Sequence, residues 1–206
     1  LKTRDSYIGK YIKQLDELAS NLIINTNQLH SLGQGLKRFD QITSNNGVIN
    51  PSYRFDEDAG KFFYPINKGT FRIALYNSEN QLERYYDIDI DPAKDSLNSI
   101  IQKISDADGD SNGGKIQAYL AENNTIKISV ASGYTFTFKE DSSNFLVAAG
   151  LNSFFKGTSA KDIELSSLVQ NDSEFIATSL TGEPGDNQNA LKISNLNYTS
   201  ISNGIT

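Results

Sequence analysis

Between Asp5 and Leu32 the apolar side chains recur with the period of a helix. Ile8, Leu15, Leu22 and Leu29 stand seven residues apart, and Tyr11, Leu18, Asn25 and Leu32 form a second register. Seven of these eight positions are apolar, and no Gly or Pro interrupts the run from Lys10 to Leu32. That pattern predicts a helix carrying one continuous seam. Asn25 is the exception, and a polar residue in such a seam sets register at some cost in stability. A helix of about 25 residues would be about 37 Å long, more than a small domain needs, so it reads as part of a rod or bundle. Gly33 and Gly35 end it, with Gly33 expected in the left-handed position after the last turn.

Residues 40–69 are rich in Asn, Ser, Gly and Pro and show little periodicity, as expected of a connecting segment. Phe62, Phe63 and Tyr64 are expected to dock it onto the core. Beyond it the period changes from that of a helix to two. Phe71, Ile73 and Leu75 alternate, Asn77–Asn80 reads as a turn, and Leu82, Tyr86, Ile88 and Ile90 share one face of a second strand, broken only by Arg84. Asp91-Pro92 ends that strand, and Asp95 or Ser96 caps a helix over Leu97–Ile104. Three further strands follow, carrying Ile116, Ala118 and Leu120, then Ile126, Ile128 and Val130, then Tyr134, Phe136 and Phe138. With hairpin links this order is ββαβββ, one antiparallel sheet covered on one face by a helix. Helical spacing returns between Asn144 and Phe155, which makes Leu97–Phe155 the block around which the chain is organised.

After an irregular stretch bearing Ile163, Leu165, Leu168 and Val169, the loop Gly182-Glu-Pro-Gly-Asp-Asn leads to a last helix, with Asp186 or Asn187 as its cap and Ala190, Leu191, Ile193 and Leu196 within it. The expected fold class is therefore α+β. A helical rod segment comes from the two ends of the chain, and an antiparallel-sheet domain with one covering helix is inserted between them. The expected divisions are 1–39 (rod), 40–160 (β-rich insert with its connecting segment) and 161–206 (return segment and start of the C-terminal rod helix).

Composition narrows the chemistry. The 206 residues are 37% hydrophobic with a net charge of −6 and interleaved signs. That leaves no basic footprint for nucleic acid. Cys is absent, which removes disulfides, thiolate nucleophiles and Cys-based zinc sites. No apolar run approaches the ~20 residues that span a bilayer, and no membrane partner is expected. The chain lacks Met and opens directly into a helical pattern, so it is expected to be an internal piece of a longer protein.

Candidate catalytic or metal-binding groups each meet a plainer explanation. Asp108-Gly-Asp-Ser-Asn-Gly opens like a calcium loop, but the position of the closing bidentate Glu is Tyr119. Asp87, Asp89 and Asp91 could pair as in a glycosidase, yet alternation with Tyr86, Ile88 and Ile90 accounts for them as the solvated face of a strand. His30 is the lone imidazole, too few for a zinc cluster, and no G-x-S-x-G elbow accompanies it. It stands at a helix end, where capping or packing suffices. Gly33-Gln-Gly35 follows a helix, the wrong setting for phosphate. No catalytic residue, metal or cofactor is expected. The residues singled out are instead an assembly seam: Ile8, Tyr11, Leu15, Leu18, Leu22, Asn25 and Leu29. A seam of this length finds no second complete helix in the chain, so its partners are sought in other segments or subunits.

Three passages, in order, resemble a known family. Leu18-Ala-Ser-Asn-Leu-Ile-Ile-Asn-Thr-Asn-Gln-Leu-His-Ser-Leu-Gly-Gln-Gly-Leu is similar to the helix-to-loop passage of the bacterial flagellar hook-associated proteins. Gly133-Tyr-Thr-Phe-Thr-Phe with Phe145-Leu-Val-Ala-Ala-Gly-Leu-Asn-Ser-Phe-Phe resembles their strand and following turn, and Gly182-Glu-Pro-Gly-Asp-Asn-Gln-Asn-Ala-Leu resembles the loop into their C-terminal helix. Residues 46–82 carry little of the likeness. The resemblance implies a structural, non-enzymatic protein, exported through the flagellar type III channel and placed outside the cell at the hook–filament junction. Its implied partners are copies of itself, the hook protein, the neighbouring junction protein and an export chaperone, and the piece alone is expected to be monomeric. The competing reading is a secreted β-rich adhesin that binds host glycan or protein through its outer domain. A glycosidase using Asp87 and Asp89 stands behind both.

Overall fold

The structure is a computed structural model and describes residues 2–109 and 114–196. The chain begins with α1 (Lys2–His30), a helix of 29 residues, about 43 Å long. The expected seven-residue pattern is helical from Ile8 to Leu29, and Leu32 lies in the turn that follows. Its second half packs on the rest of the molecule through Ala19, Ile23, Thr26, Asn27 and His30, all buried. These positions recur at spacings of three and four, the stripe by which a helix faces a core.

Two three-stranded antiparallel sheets follow. The first has the order β3 (Leu82–Ile90), β2 (Gly69–Tyr76), β6 (Thr135–Asp141). The second has the order β1 (Gln41–Thr43), β5 (Ile126–Val130), β4 (Ile116–Leu120). Alternation in β3 is strict from Tyr86 onward, with Tyr86, Ile88 and Ile90 buried and Asp87 and Asp89 exposed. The α+β class is as expected from the sequence. The single sheet is not, because β5 and β6 do not form a hairpin and lie in different sheets. The reason lies in β6, where Phe136, Thr137 and Phe138 are all buried, so both faces are covered. A strand of that kind takes an interior place, with β2 on one side and the main chain of Phe39 on the other. Phe39 and Phe136 exchange both main-chain hydrogen bonds. The chain then runs on to pair β1 with β5, Ile42 opposite Ile128. Residues 39–43, expected to be divided between rod and connector, are therefore the seam joining the two sheets.

The helix α2 (Leu97–Asp106) contacts β4 of one sheet and β3 of the other. Its N-cap is Ser96, whose hydroxyl accepts from the Ser99 N–H while Ser99 bonds back to the Ser96 N–H. Asp95 also accepts from Ser99 and from Lys103. Leu97, Ile100 and Ile104 face inward and are fully buried. The short helix α3 (Phe145–Ala149) is buried at every residue and ends at Gly150 with φ 72°. Phe71 and Phe145 stack with ring centroids 5.2 Å apart, and burial of one such ring stabilises the fold by about 2 kcal/mol.

Residues 44–68 are held down by Phe55, Phe62 and Tyr64, which are buried, but Phe63 turns to solvent. Three adjacent aromatics cannot all face one core from an extended chain, whose side chains alternate. Likewise Leu82, expected on the buried face of its strand, is exposed, because the register slips between Leu75 and Tyr76. The return segment contains the hairpin β7 (Phe155–Lys156) and β8 (Glu164–Leu165), then α4 (Ser167–Asn171), and ends in α5 (Gln188–Asn195). Leu196, expected within that helix, immediately follows it. One hydrophobic cluster includes Ile23 of α1, Phe39, the facing rows of both sheets, α2 and Leu151.

Candidate functional site

The assembly seam divides into two parts. Ile8, Tyr11, Leu15 and Leu18 are exposed, together with Tyr7 and Ile12, whereas Leu22, Asn25 and Leu29 are half-buried. The helix buries a different face, displaced by one residue from the seam: Ile23 is 1% exposed and Leu15 is 56%. Asn25 donates to the carbonyl of Asn21 within its own helix, so its amide is satisfied without a neighbour. The N-terminal part of the helix thus turns a row of large apolar side chains to solvent.

Beneath this helix lies a buried polar junction. Asn27, His30, Asn152 and Asn189 are each at most 3% exposed. The amide of Asn152 donates to the carbonyls of His30, Ser31 and Gly33 at 3.1, 3.2 and 3.0 Å. It occupies the end of α1, where helical carbonyls lack internal partners. The expectation that Gly33 does this work in a left-handed conformation is corrected, since Gly33 is not among the residues with positive φ, whereas Asn152 is, at 48°. Gly33 is small for a different reason: a Cβ there would overlap the Asn189 amide. Asn189 in turn donates to the carbonyls of Leu29 and Ala177 at 3.0 and 2.7 Å. Asn27 accepts from the N–H groups of Phe154 and Phe155 and donates to the carbonyl of Phe155.

His30 sits at the centre of this junction. Its Nε2 accepts from the N–H of Ala177 at 3.0 Å, which places the proton on Nδ1, 2.8 Å from the carbonyl of Asn152. Burial pushes its pKa down to about 4, partly offset by the Asn152 carbonyl. Both nitrogens are committed, so the ring is a neutral structural link rather than a base. The loop before α5 is closed by Asp186, which accepts from Ser179, Leu180 and Thr181, and the bonds from Thr181, Gln188 and Ser179 hold it well below the usual carboxylate range. It also accepts from the Gln188 N–H, while Asn187, the N-cap by position, makes no side-chain bond there. The sequence offered both residues as the cap, and the bond belongs to Asp186.

The other candidates are dispersed. Asp87 forms a two-pronged ion pair with Arg72 at 2.6 and 3.1 Å, and Asp91 lies 3.2 Å from Lys68. These cations hold both carboxyls below their ordinary pKa, the reverse of what a general acid requires. Asp108 accepts from the Tyr86 hydroxyl and the Lys115 N–H, and Asp110–Gly113 of the calcium-like stretch lie outside the described residues. Among the described residues no group of three or more His, Asp or Glu side chains could hold a metal ion, and no helix is long and apolar enough to cross a membrane.

The three passages singled out by resemblance meet at this junction. His30 and Gly33 come from the first, Asn152 and Phe154 from the second, and Asn189 from the third. Sequence reasoning marked the passages but gave Asn27, Asn152 and Asn189 no role, for a buried Asn has no periodic signature. No protein-family model matches the chain, and no curated protein is significantly similar to it.

Proposed function

We propose that this chain is a structural subunit of the bacterial flagellum at the hook–filament junction, of the hook-associated protein 1 kind. The observation that carries the reading is the meeting of the three resembling passages. Residues separated by as many as 160 positions share direct hydrogen bonds at the end of α1, so the likeness follows a spatial unit and not scattered coincidences. That unit sets α5 beside α1 and supports a rod segment drawn from both ends of the chain, with the sheets as an insert between them.

In this reading the mechanism is geometric. The exposed seam of Ile8, Tyr11, Leu15 and Leu18 packs on neighbours around a tube, and the sheet domain makes lateral contacts. Its partners are further copies, the hook protein and the next junction protein. The chain performs no catalysis, which agrees with a His whose nitrogens are both bonded to main chain. The rigid junction transmits the orientation of the rod to the outer domain, so that every copy repeats the same contact.

The test is addition of the complete gene product to isolated flagellar hooks, followed by electron microscopy and a count of bound copies. Saturable addition at the distal end is expected. A complete product that leaves hooks bare while remaining folded would sink the proposal.

A further inference from the structure

The outer edge of β3 is a second surface, unrelated to the assembly seam. In an antiparallel sheet each residue turns both main-chain groups to one side or the other, alternately. Thr70 of β2 accepts from Ser142, on the β6 side. Arg72 and Ala74, two and four residues further along, turn the same way. Their partners across the ladder are Asp89, Asp87 and Tyr85, whose N–H and C=O groups therefore point away from the sheet. Among the described residues these groups receive a side-chain hydrogen bond from Lys103 of α2, whose ammonium reaches the carbonyl of Asp89 at 2.8 Å.

An open groove of about 600 Å³ runs along this edge. Its floor is residues 84–89 of β3, and its wall is Gln102, Lys103, Asp106 and Ala107 of α2. Six strand residues span about 20 Å, enough for an extended segment to lie alongside. The charge is one-sided. Arg84 is paired with Asp108 and Lys103 with Asp95, and Asp87 is matched by Arg72. Asp89 and Asp106 have no ion pair among the described residues. A second copy of this strand would place Asp87 and Asp89 near their own counterparts, and like charges opposed across a ladder are destabilising.

We propose that this groove accepts an extended segment of another protein as a fourth strand beside β3, and that the segment carries Lys or Arg at alternate positions. Main-chain bonds to Tyr85, Asp87 and Asp89 hold the strand, and its cationic side chains lie on the exposed face of the sheet that carries Asp87 and Asp89. Strand addition of this kind takes affinity from the main chain and selectivity from alternate side chains. Lys103 releases the Asp89 carbonyl as the strand enters and keeps its bond to Asp95.

The experiment uses a synthetic ten-residue peptide of alternating Lys and Val, a Glu-Val counterpart, and amide hydrogen exchange followed by NMR. With the Lys-Val peptide at about ten times its Kd, exchange at Tyr85, Asp87 and Asp89 slows about tenfold by mass action. The Glu-Val peptide leaves these amides unchanged. The variant Asp89→Lys, at an exposed position, loses the effect while its remaining amide spectrum is preserved. No binding by the Lys-Val peptide, binding that leaves the three amides unprotected, or equal protection by both peptides would each overturn the proposal. So would protection that rises with protein concentration alone, which would make the occupant a second copy.

Discussion

Ala177 donates its main-chain N–H to Nε2 of His30 across 3.0 Å, although 147 positions separate them in the chain. The bond requires an unprotonated Nε2, and besides His30 the residues lining the cavity beside the ring, which include Thr26, Phe154, Ala190 and Ile193, carry no titratable side chain. The end of α1 and the return segment are thus joined through a group that titrates near neutrality when the chain is unfolded.

Stability should therefore fall as the pH is lowered from 6.5 towards 4. The folded-state pKa of His30 is depressed to about 4 from 6.5, so in this window the unfolded chain binds the extra proton. The His30 contribution is fully present above pH 6.5 and is lost on the way down, by about 3 kcal/mol in all. Urea denaturation at several pH values checks this. His30→Gln, which cannot titrate, should remove that part of the slope. Carboxylates such as Asp162, held down to about 2 by bonds from Ser159 and Thr158, lose their stabilising effect below this window.

Asn152 combines a cap with an unusual backbone. Asn152→Ala loses three hydrogen bonds to the end of α1 and keeps a φ of 48° with a Cβ. It should cost about 3 kcal/mol. Asn152→Gly loses the same bonds without the backbone strain and should be less destabilised by about 1 kcal/mol. Equal midpoints for the two variants in urea would remove the backbone from the account.

Gly33→Ala drives a methyl into the Asn189 amide, which cannot move without releasing the carbonyls of Leu29 and Ala177. A loss of about 2 kcal/mol is expected. The double variant Gly33→Ala/Asn189→Ala should be less destabilised than the sum of the two single variants, because the second change makes room for the first. A double-mutant cycle by chemical denaturation measures that difference.

On α1 the two faces should respond in opposite ways. Leu15→Lys on the exposed seam should change the stability of the chain by less than about 0.5 kcal/mol, yet abolish addition of the complete protein to hooks. Ile23→Ala, displaced by one residue from the seam and buried, should cost about 3 kcal/mol. Differential scanning calorimetry and hook addition, performed on both variants, separate folding from assembly.

Elements with a repeating signal were legible before the structure. The long helix, β2, β3, the capped helix after Ser96, and the strands bearing Ile116, Ile126 and Phe136 lie where their periods placed them. Phe63, Leu82 and Gly33 were assigned by local rules and found other surroundings, since a neighbour distant in the chain decided each. The three-residue β1 carried too short a pattern to stand out from the polar stretch around it. The seam was visible as a stripe on α1, but not the fact that the helix buries a different stripe over its second half.

Sequence alone determined the local periods, the positions of the N-caps to within a residue and the apolar surplus of α1, because these depend on side chains within a turn or two of one another. Tertiary structure alone decided that β5 and β6 part into separate sheets, that β3 is the outer strand of its sheet among the described residues, and that four buried side chains, Asn27, His30, Asn152 and Asn189, tie α1 to the return segment. The first follows from apolar burial on both faces of β6, and the last from polar groups that must find partners once removed from water, partners that came from more than a hundred residues away.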